Sequence, residues 1–198
     1  MDLEKTIRSL RGRGFEVTHF ATGAEAVDYL DSAIRGTTVG IGGSKTIDDL
    51  GLYDRLTANN EVAWHWREPG FETLDRELAA KVFLSSANAI TEGGEILNID
   101  GRGNRLASMV YGIDKTVYIV AGTNKICPDF DSALYRARNT AAVQNMKRFP
   151  GDQPCQKGGR CFDCRATQRG CNALLVLWGK MMDMAKIEVV LIDEALGL

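Results

Sequence analysis

Long apolar runs are missing from this 198-residue chain. No stretch approaches the roughly 20 apolar residues of a membrane span. A basic excess is missing too. The formal net charge is −2, and no stripe of Lys and Arg is interleaved with aromatics, which argues against nucleic acid as a partner. The opening Met1-Asp2-Leu3-Glu4-Lys5 is charged and lacks the apolar core of a signal peptide. The expected location is cytoplasmic, a compartment that keeps thiols reduced. The histidines, His19 and His65, are isolated in the sequence. A Ser-His-Asp order, a His-Glu-x-x-His helix and an EF-hand loop are all absent. With no internal repeat and no low-complexity linker, the length suits one domain over 1–198.

What is present is concentrated thiol chemistry. Four of the five cysteines, Cys155, Cys161, Cys164 and Cys171, fall within a loop expected over 150–171; Cys127 lies upstream. Thiolates are soft ligands, so four in one short loop suit a tetrahedral zinc ion or an iron–sulfur cluster. The run Gln156-Lys157-Gly158-Gly159-Arg160 bends readily and carries charge that offsets thiolates. Two disulfides, a redox thiol pair, or thiols with no ligand are the alternatives.

The rest of the chain alternates helical and extended patterns. Helices are expected over 3–10, from Thr22 to Ile34 behind a Thr22/Glu25 capping box, over 44–56 with a break near Gly51, and over 73–80, 104–111 and 129–147. Strands are expected over 15–20, 38–41, 61–66, 82–86, 95–99, 117–121, 173–178 and 187–192. Such alternation predicts an α/β fold with a mainly parallel sheet and helices on both faces, carrying the cysteine loop near its C-terminus.

In a fold of that kind, ligands sit outside the carboxyl ends of the strands. The segment from Val39 to Thr46 joins a strand to a helix through Gly42, Gly43 and Ser44. Its glycines let backbone N–H groups approach an anion, and Ser44 and Thr46 add hydroxyls. It is neither a P-loop nor a complete dinucleotide fingerprint, and a plain tight turn with a Ser cap is the alternative. Three further polar strand ends follow: Ser86 to Glu95, with Asn88, Thr91 and Glu92; Asn104-Arg105; and Asn124-Lys125. Glu92 is a candidate base or nucleophile, against the plainer role of a solvated turn acid. Arg105 can hold a carboxylate or phosphate with a fork, which Lys cannot. Arg136, Arg138 and Lys147 read as a solvated helix face, and His65 as structural.

Taken together, Gly40-Ile41-Gly42-Gly43-Ser44-x-Thr46, Ser86-Ala87-Asn88-Ala89-Ile90-Thr91-Glu92, Asn98-Ile99-Asp100-Gly101-x-Gly103-Asn104-Arg105 and Ala121-Gly122-x-Asn124-Lys125 resemble the LUD domain. This is the lactate-utilization family of the LutC/YkgG type. The ending Asp193-Glu194-x-Leu196-Gly197 also fits, and the likeness spans nearly the whole chain. The resemblance implies a fold similar to the sugar-phosphate isomerase and CoA-transferase group, whose glycine-rich loop binds phosphate. It also implies a link to lactate oxidation in a multi-subunit, iron–sulfur-containing system. LutC-type subunits are not known as the cluster carriers, and the four-cysteine segment departs from the shortest members.

Three functions follow as expectations. One is a component or accessory of an organic-acid redox system, with a small anionic ligand at the strand ends and redox partner subunits. Another is a stand-alone isomerase or acyl/CoA-transferase using Glu92, with structural cysteines. The third is a non-catalytic metal- or redox-sensing module.

Overall fold

The structure, a computed structural model, describes residues 1–198. Helix α1 (Leu3–Gly12) opens at Asp2, whose side chain accepts the Lys5 N–H, and leads into β1 (Glu16–Phe20). The expected capping box opens α2 (Gly23–Ala33): Thr22 accepts from Glu25 N–H while the Glu25 carboxylate accepts from Thr22 N–H. Strand β2 (Thr38–Ile41) precedes α3 (Lys45–Asp49) and α4 (Leu52–Thr57), which are separated at Gly51. There follow β3 (Glu61–Ala63), α5 (Phe71–Ala79), β4 (Val82–Ser85), β5 (Ala89–Thr91), β6 (Ile96–Asp100), α6 (Asn104–Val110), β7 (Thr116–Gly122) and β8 (Ile126–Cys127).

Asp129 caps α7 (Phe130–Arg136), which continues through a π-helical stretch, Ala137–Ala141, into α8 (Ala142–Met146). The cysteine segment contributes the short α9 (Pro154–Gly158), and the chain returns through β9 (Ala173–Leu177) and β10 (Lys186–Ile192).

Six strands form one sheet in the order β1-β10-β7-β4-β2-β3, with every pairing parallel. Parallel sheets require cover on both faces, and the strands show it: β7 and β10 are buried almost end to end. On one face, Val39, Ile41, Leu84, Val120 and Val190 pack against Ala26, Leu30, Ile47, Leu52 and Leu56 of α2, α3 and α4. On the other, Phe83, Val117, Ile119 and Val189 pack against Leu10 of α1 and Met109 of α6. Each fully buried Leu or Ile adds about 1.5–3 kcal/mol, so the two clusters are the main stabilising term.

The same second face carries a layer that the sequence pattern did not announce. A four-stranded mixed sheet in the order β8-β5-β6-β9 sends Ile90, Ile96 and Leu177 into the first sheet's core. Its outer side is covered by α7 through Ala133 and Leu134. Strand 173–178 therefore belongs to the small sheet, and the polar run from Ser86 to Glu95 contains a strand rather than a plain loop. The segment expected as a strand over 61–66 stops at Ala63, because Arg67 and Glu68 N–H groups both turn back to the Trp64 carbonyl, at 2.8 and 2.9 Å.

Candidate functional site

Strands β2, β4 and β7 are neighbours and parallel, so their carboxyl ends emerge along one edge. Each end delivers one polar side chain to a common point. Thr46 follows β2, Ser86 follows β4, and Lys125 closes a 3-10 turn, Thr123–Lys125, after β7. Lys125 Nζ donates to Thr46 Oγ1 at 2.8 Å and to Ser86 Oγ at 2.7 Å, and the two hydroxyls are 3.2 Å apart. Lys125 is only 2 % exposed.

Gly42 gives this edge its depth. A Cβ there would stand 2.9 Å from Arg105 Cγ and 2.9 Å from Phe83 Cζ. The missing side chain lets Arg105 lie flat across the loop. Its Nη2 donates to the Ile99 carbonyl at 2.7 Å and to Asn88 Oδ1 at 3.4 Å. Asn88 Oδ1 also accepts from Ile99 N–H at 2.6 Å, so the amide holds the arginine in place. A third cation arrives from α7. Arg136 donates Nε to the Asn124 carbonyl at 3.1 Å and Nη1 to the Asn88 carbonyl. The solvated face expected for Arg136 is therefore replaced by an inward one. It lies where α7 passes into the π-helical stretch, an irregularity that a 3.6-residue period does not reveal.

No Asp or Glu carboxylate comes within 4.0 Å of the side-chain nitrogens of Lys125, Arg105 or Arg136. Burial, then the charges of Arg136 and Arg105, bring the Lys125 ammonium down to about 7. Burial also lowers Arg105 and Arg136. Asp49 opposes the shift at Lys125 and Asp100 that at Arg105, but neither pairs with their side-chain nitrogens. Like charges held this way are costly, and an incoming anion would relieve that cost.

The edge is roofed by the segment that follows β10. Glu194 accepts the Gly23 N–H at the start of α2, at 2.8 Å. Asn124 brackets Leu196, accepting its N–H at 3.2 Å and donating to its carbonyl at 3.5 Å. Arg136 reaches the Leu198 carbonyl with both terminal nitrogens at 3.3 Å. Gly197, at φ +66°, lies directly over the cluster; a Cβ there would collide with Thr46 Oγ1 and stand 3.3 Å from Lys125 Nζ.

The other residues singled out in the sequence lie around this group or apart from it. Ser44 caps α3, accepting Ile47 N–H at 3.3 Å, and α3 spans only five residues, so side chains rather than a helix end supply the positive character here. Gly43 faces the Trp66 indole. Asn104 opens α6, where Arg105 N–H donates to Asp100 Oδ2 at 3.2 Å. Thr91 is engaged with Glu95 in the turn after β5.

Glu92 is tied to α1: its carboxylate accepts Asp2 N–H at 2.8 Å and Lys5 Nζ at 3.1 Å. These contacts, the backbone donor first, hold its carboxyl below the usual range. It makes no contact with Lys125 or Arg105. His65 pairs through Nδ1 with buried Glu77 at 2.7 Å.

The cysteine segment is separate. Cys155, Cys161, Cys164 and Cys171 are free thiols of intermediate exposure. Burial, then the neighbouring Cys164, push the Cys155 thiol up, with Cys171 and Cys161 adding to it. Arg138 donates to Cys161 Sγ at 3.5 Å, and Arg169 ties the Cys171 and Cys164 carbonyls at 2.8 and 2.9 Å. As arranged, no three His, Cys, Asp or Glu side chains form a set that holds a metal ion. A groove of about 560 Å³ runs beside Cys161, between Leu134, Tyr135 and Arg138 of the long helix and Arg160 and Phe162 of the loop.

A parallel α/β domain with a buried cationic cluster at its strand ends defines the class of protein. The comparisons narrow it: the family model for the LUD domain matches residues 3–192, and the chain belongs to that family. The crystal structure of a DUF162 family protein from Deinococcus radiodurans has the same fold. It superposes with a TM-score of 0.54 at 16 % identity, covering 96 % of this chain and 95 % of that one. No curated protein matches the sequence. No helix is long and apolar enough to cross a membrane.

Proposed function

We propose that this LUD-domain protein binds a small carboxylate or phosphate among Lys125, Thr46, Ser86, Arg105 and Arg136, as a component or accessory of a lactate or other organic-acid oxidation system. The observation that carries the reading is the group of two buried cations, Lys125 and Arg105, and the half-buried Arg136, none paired with an Asp or Glu side chain. Asn88 and Asn124 position the cations, Gly42 leaves room for Arg105, and the segment 193–198 gives way on binding. Redox partner subunits belong to the same proposal. Glu92, engaged by α1, lends no support to a stand-alone transferase or isomerase that would use it.

Titration calorimetry with L-lactate, pyruvate and inorganic phosphate tests the site. A charge-assisted fork is worth about 1.5–3 kcal/mol, so Arg105→Lys is expected to weaken binding by roughly ten- to a hundredfold. Unchanged affinity in that variant removes Arg105 from the site.

The four cysteines are proposed as ligands of a zinc ion or an iron–sulfur cluster. Their gathering in one loop as free thiols supports this. Binding requires the sulfurs to draw closer than they stand, which a loop of this composition permits. Elemental analysis of anaerobically purified protein is expected to find one zinc ion or one cluster per chain, lost in the Cys161→Ser/Cys164→Ser variant. Absence of both metals, with all four thiols rapidly alkylated, overturns the assignment.

A further inference from the structure

We propose that Lys125 is a nucleophilic amine that forms an imine with the carbonyl group of a small 2-oxo acid, whose carboxylate is held by Arg105 and Arg136. The proposal rests on the anion site described above and names its substrate class and chemistry.

Comparison among the lysines isolates this one. Lys5 is paired with Glu92, Lys45 with Asp48 and Asp49, and Lys186 with Glu188. Each partner stabilises the ammonium and removes the lone pair a nucleophile needs. Lys115 is also buried, and burial lowers its ammonium too, but its Nζ donates to the Leu78 carbonyl with no second cation acting on it. Lys125 alone is buried against two hydroxyls, with the guanidinium groups of Arg136 and Arg105 as its stronger charged neighbours and Asp49, itself paired with Lys45, opposing them more weakly. A desolvated lysine beside another cation is the arrangement that makes an amine nucleophilic near neutral pH. An ammonium lowered to about 7 is half deprotonated there.

The surroundings suit the steps that follow. The Nζ lone pair adds to the carbonyl carbon, and the carbonyl π electrons move onto oxygen. A proton leaves nitrogen and a proton reaches that oxygen, with the Ser86 and Thr46 hydroxyls, 3.2 Å apart, as the relay. The carbinolamine loses its oxygen as water, leaving C=N; water reverses the step. Amine and carbonyl give imine and water, with no change in oxidation state. The 2-oxo acid supplies both groups that the site addresses, a carbonyl for Nζ and a carboxylate for the arginines. Access requires the segment 193–198 to lift. Its contact with the lysine is through Gly197, which has no side chain to withdraw.

Reductive trapping on the full chain is the test. The protein is incubated at pH 7 with glyoxylate and cyanoborohydride, and labelled lysines are mapped by peptide mass spectrometry. Lys125 is expected to be labelled at least about tenfold faster than the exposed lysines, because its neutral fraction is far larger at that pH. Arg105→Lys is expected to slow labelling at Lys125 about tenfold and leave the exposed lysines unchanged. Labelling of Lys125 no faster than of Lys115 or the surface lysines overturns the proposal. Acetate, which has no carbonyl for imine chemistry, separates the two readings. A thermal shift with acetate but no Lys125 labelling overturns the imine and leaves the anion site. Neither shift nor labelling overturns both.

Discussion

The two polar regions of this molecule are built on opposite plans. At the strand ends, Thr46, Ser86 and Lys125 are placed by three adjacent parallel strands, and the hydrogen bonds among them are 2.7–3.2 Å long. In the cysteine segment, the backbone is stitched by long side chains instead. Gln153 donates to the Gln168 carbonyl, Gln156 to Met146 and Phe149, and Arg169 to Cys164 and Cys171. The charges differ in the same sense. Arg138 of the long helix and Arg169 of the loop both reach Asp163, at 3.1 and 3.4 Å, so these cations share a carboxylate partner. Charge at the strand ends is left open inside a rigid frame, and an oriented, water-poor cluster of that kind acts on a ligand without first reorganising.

The comparison breaks most visibly at Lys125. Its proton is held less tightly in the folded chain than in the unfolded one. Between about 7 and the ordinary lysine value of 10.5, the unfolded chain therefore binds more protons, and stability rises with pH across that window. Below it, both states are charged and the folded state bears the whole cost. At about 1.36 kcal/mol per pH unit, that cost is on the order of a few kcal/mol. Lys125→Met is expected to be more stable than the parent at pH 6, with the gain fading towards pH 10, as read from denaturant midpoints. A gain equal at both pH values denies the unpaired-charge account.

Gly42→Val tests the frame rather than the charge. The new side chain meets Arg105 and Phe83, and overpacking of this sort costs about 1–3 kcal/mol. Anion binding should disappear while cysteine accessibility stays unchanged. If binding survives, Arg105 does not need to lie across the loop. The reciprocal variant is milder. Cys161→Ser/Cys164→Ser, in the metal-free protein, should shift stability by no more than about 0.5 kcal/mol, as expected for partly exposed positions outside the core. Anion affinity should be unaltered. A large loss of anion binding would show that the two regions are coupled.

Much of the strand-end region was readable because it rests on local patterns. The Thr22 capping box, the strands over 38–41 and 117–121, and the polar residues that follow them are each contiguous in sequence. A parallel sheet then converts three strand ends into one edge. The small sheet was not readable. Strand β5 has three residues and β8 has two, too few to show alternation, and their pairing is decided by distant partners. Arg136 was missed for a related reason, since its inward direction depends on α7 packing over that hidden sheet. The roof over Lys125 announced itself only as Gly197 near the end of a family-like motif. Its contact with Thr46 is made across the fold.

Glu92 sharpens the comparison from the other side, because it combines burial with full pairing. Its residue is 8 % exposed, yet both oxygens are engaged, by Asp2 N–H and Lys5, and its carboxyl is held low by them. A carboxylate with a depressed folded-state value adds stability above its unfolded value and loses it as the pH falls through the folded one. Glu92→Gln should therefore flatten the acid side of the stability profile, being destabilised relative to the parent at pH 7 and less so near pH 3. It should also speed hydrogen exchange in the first turn of α1. Ligand affinity at Lys125 should not move, because no contact joins the two groups. A variant that keeps its N-terminal turn protected but loses ligand binding or turnover would return Glu92 to the chemistry and detach it from α1.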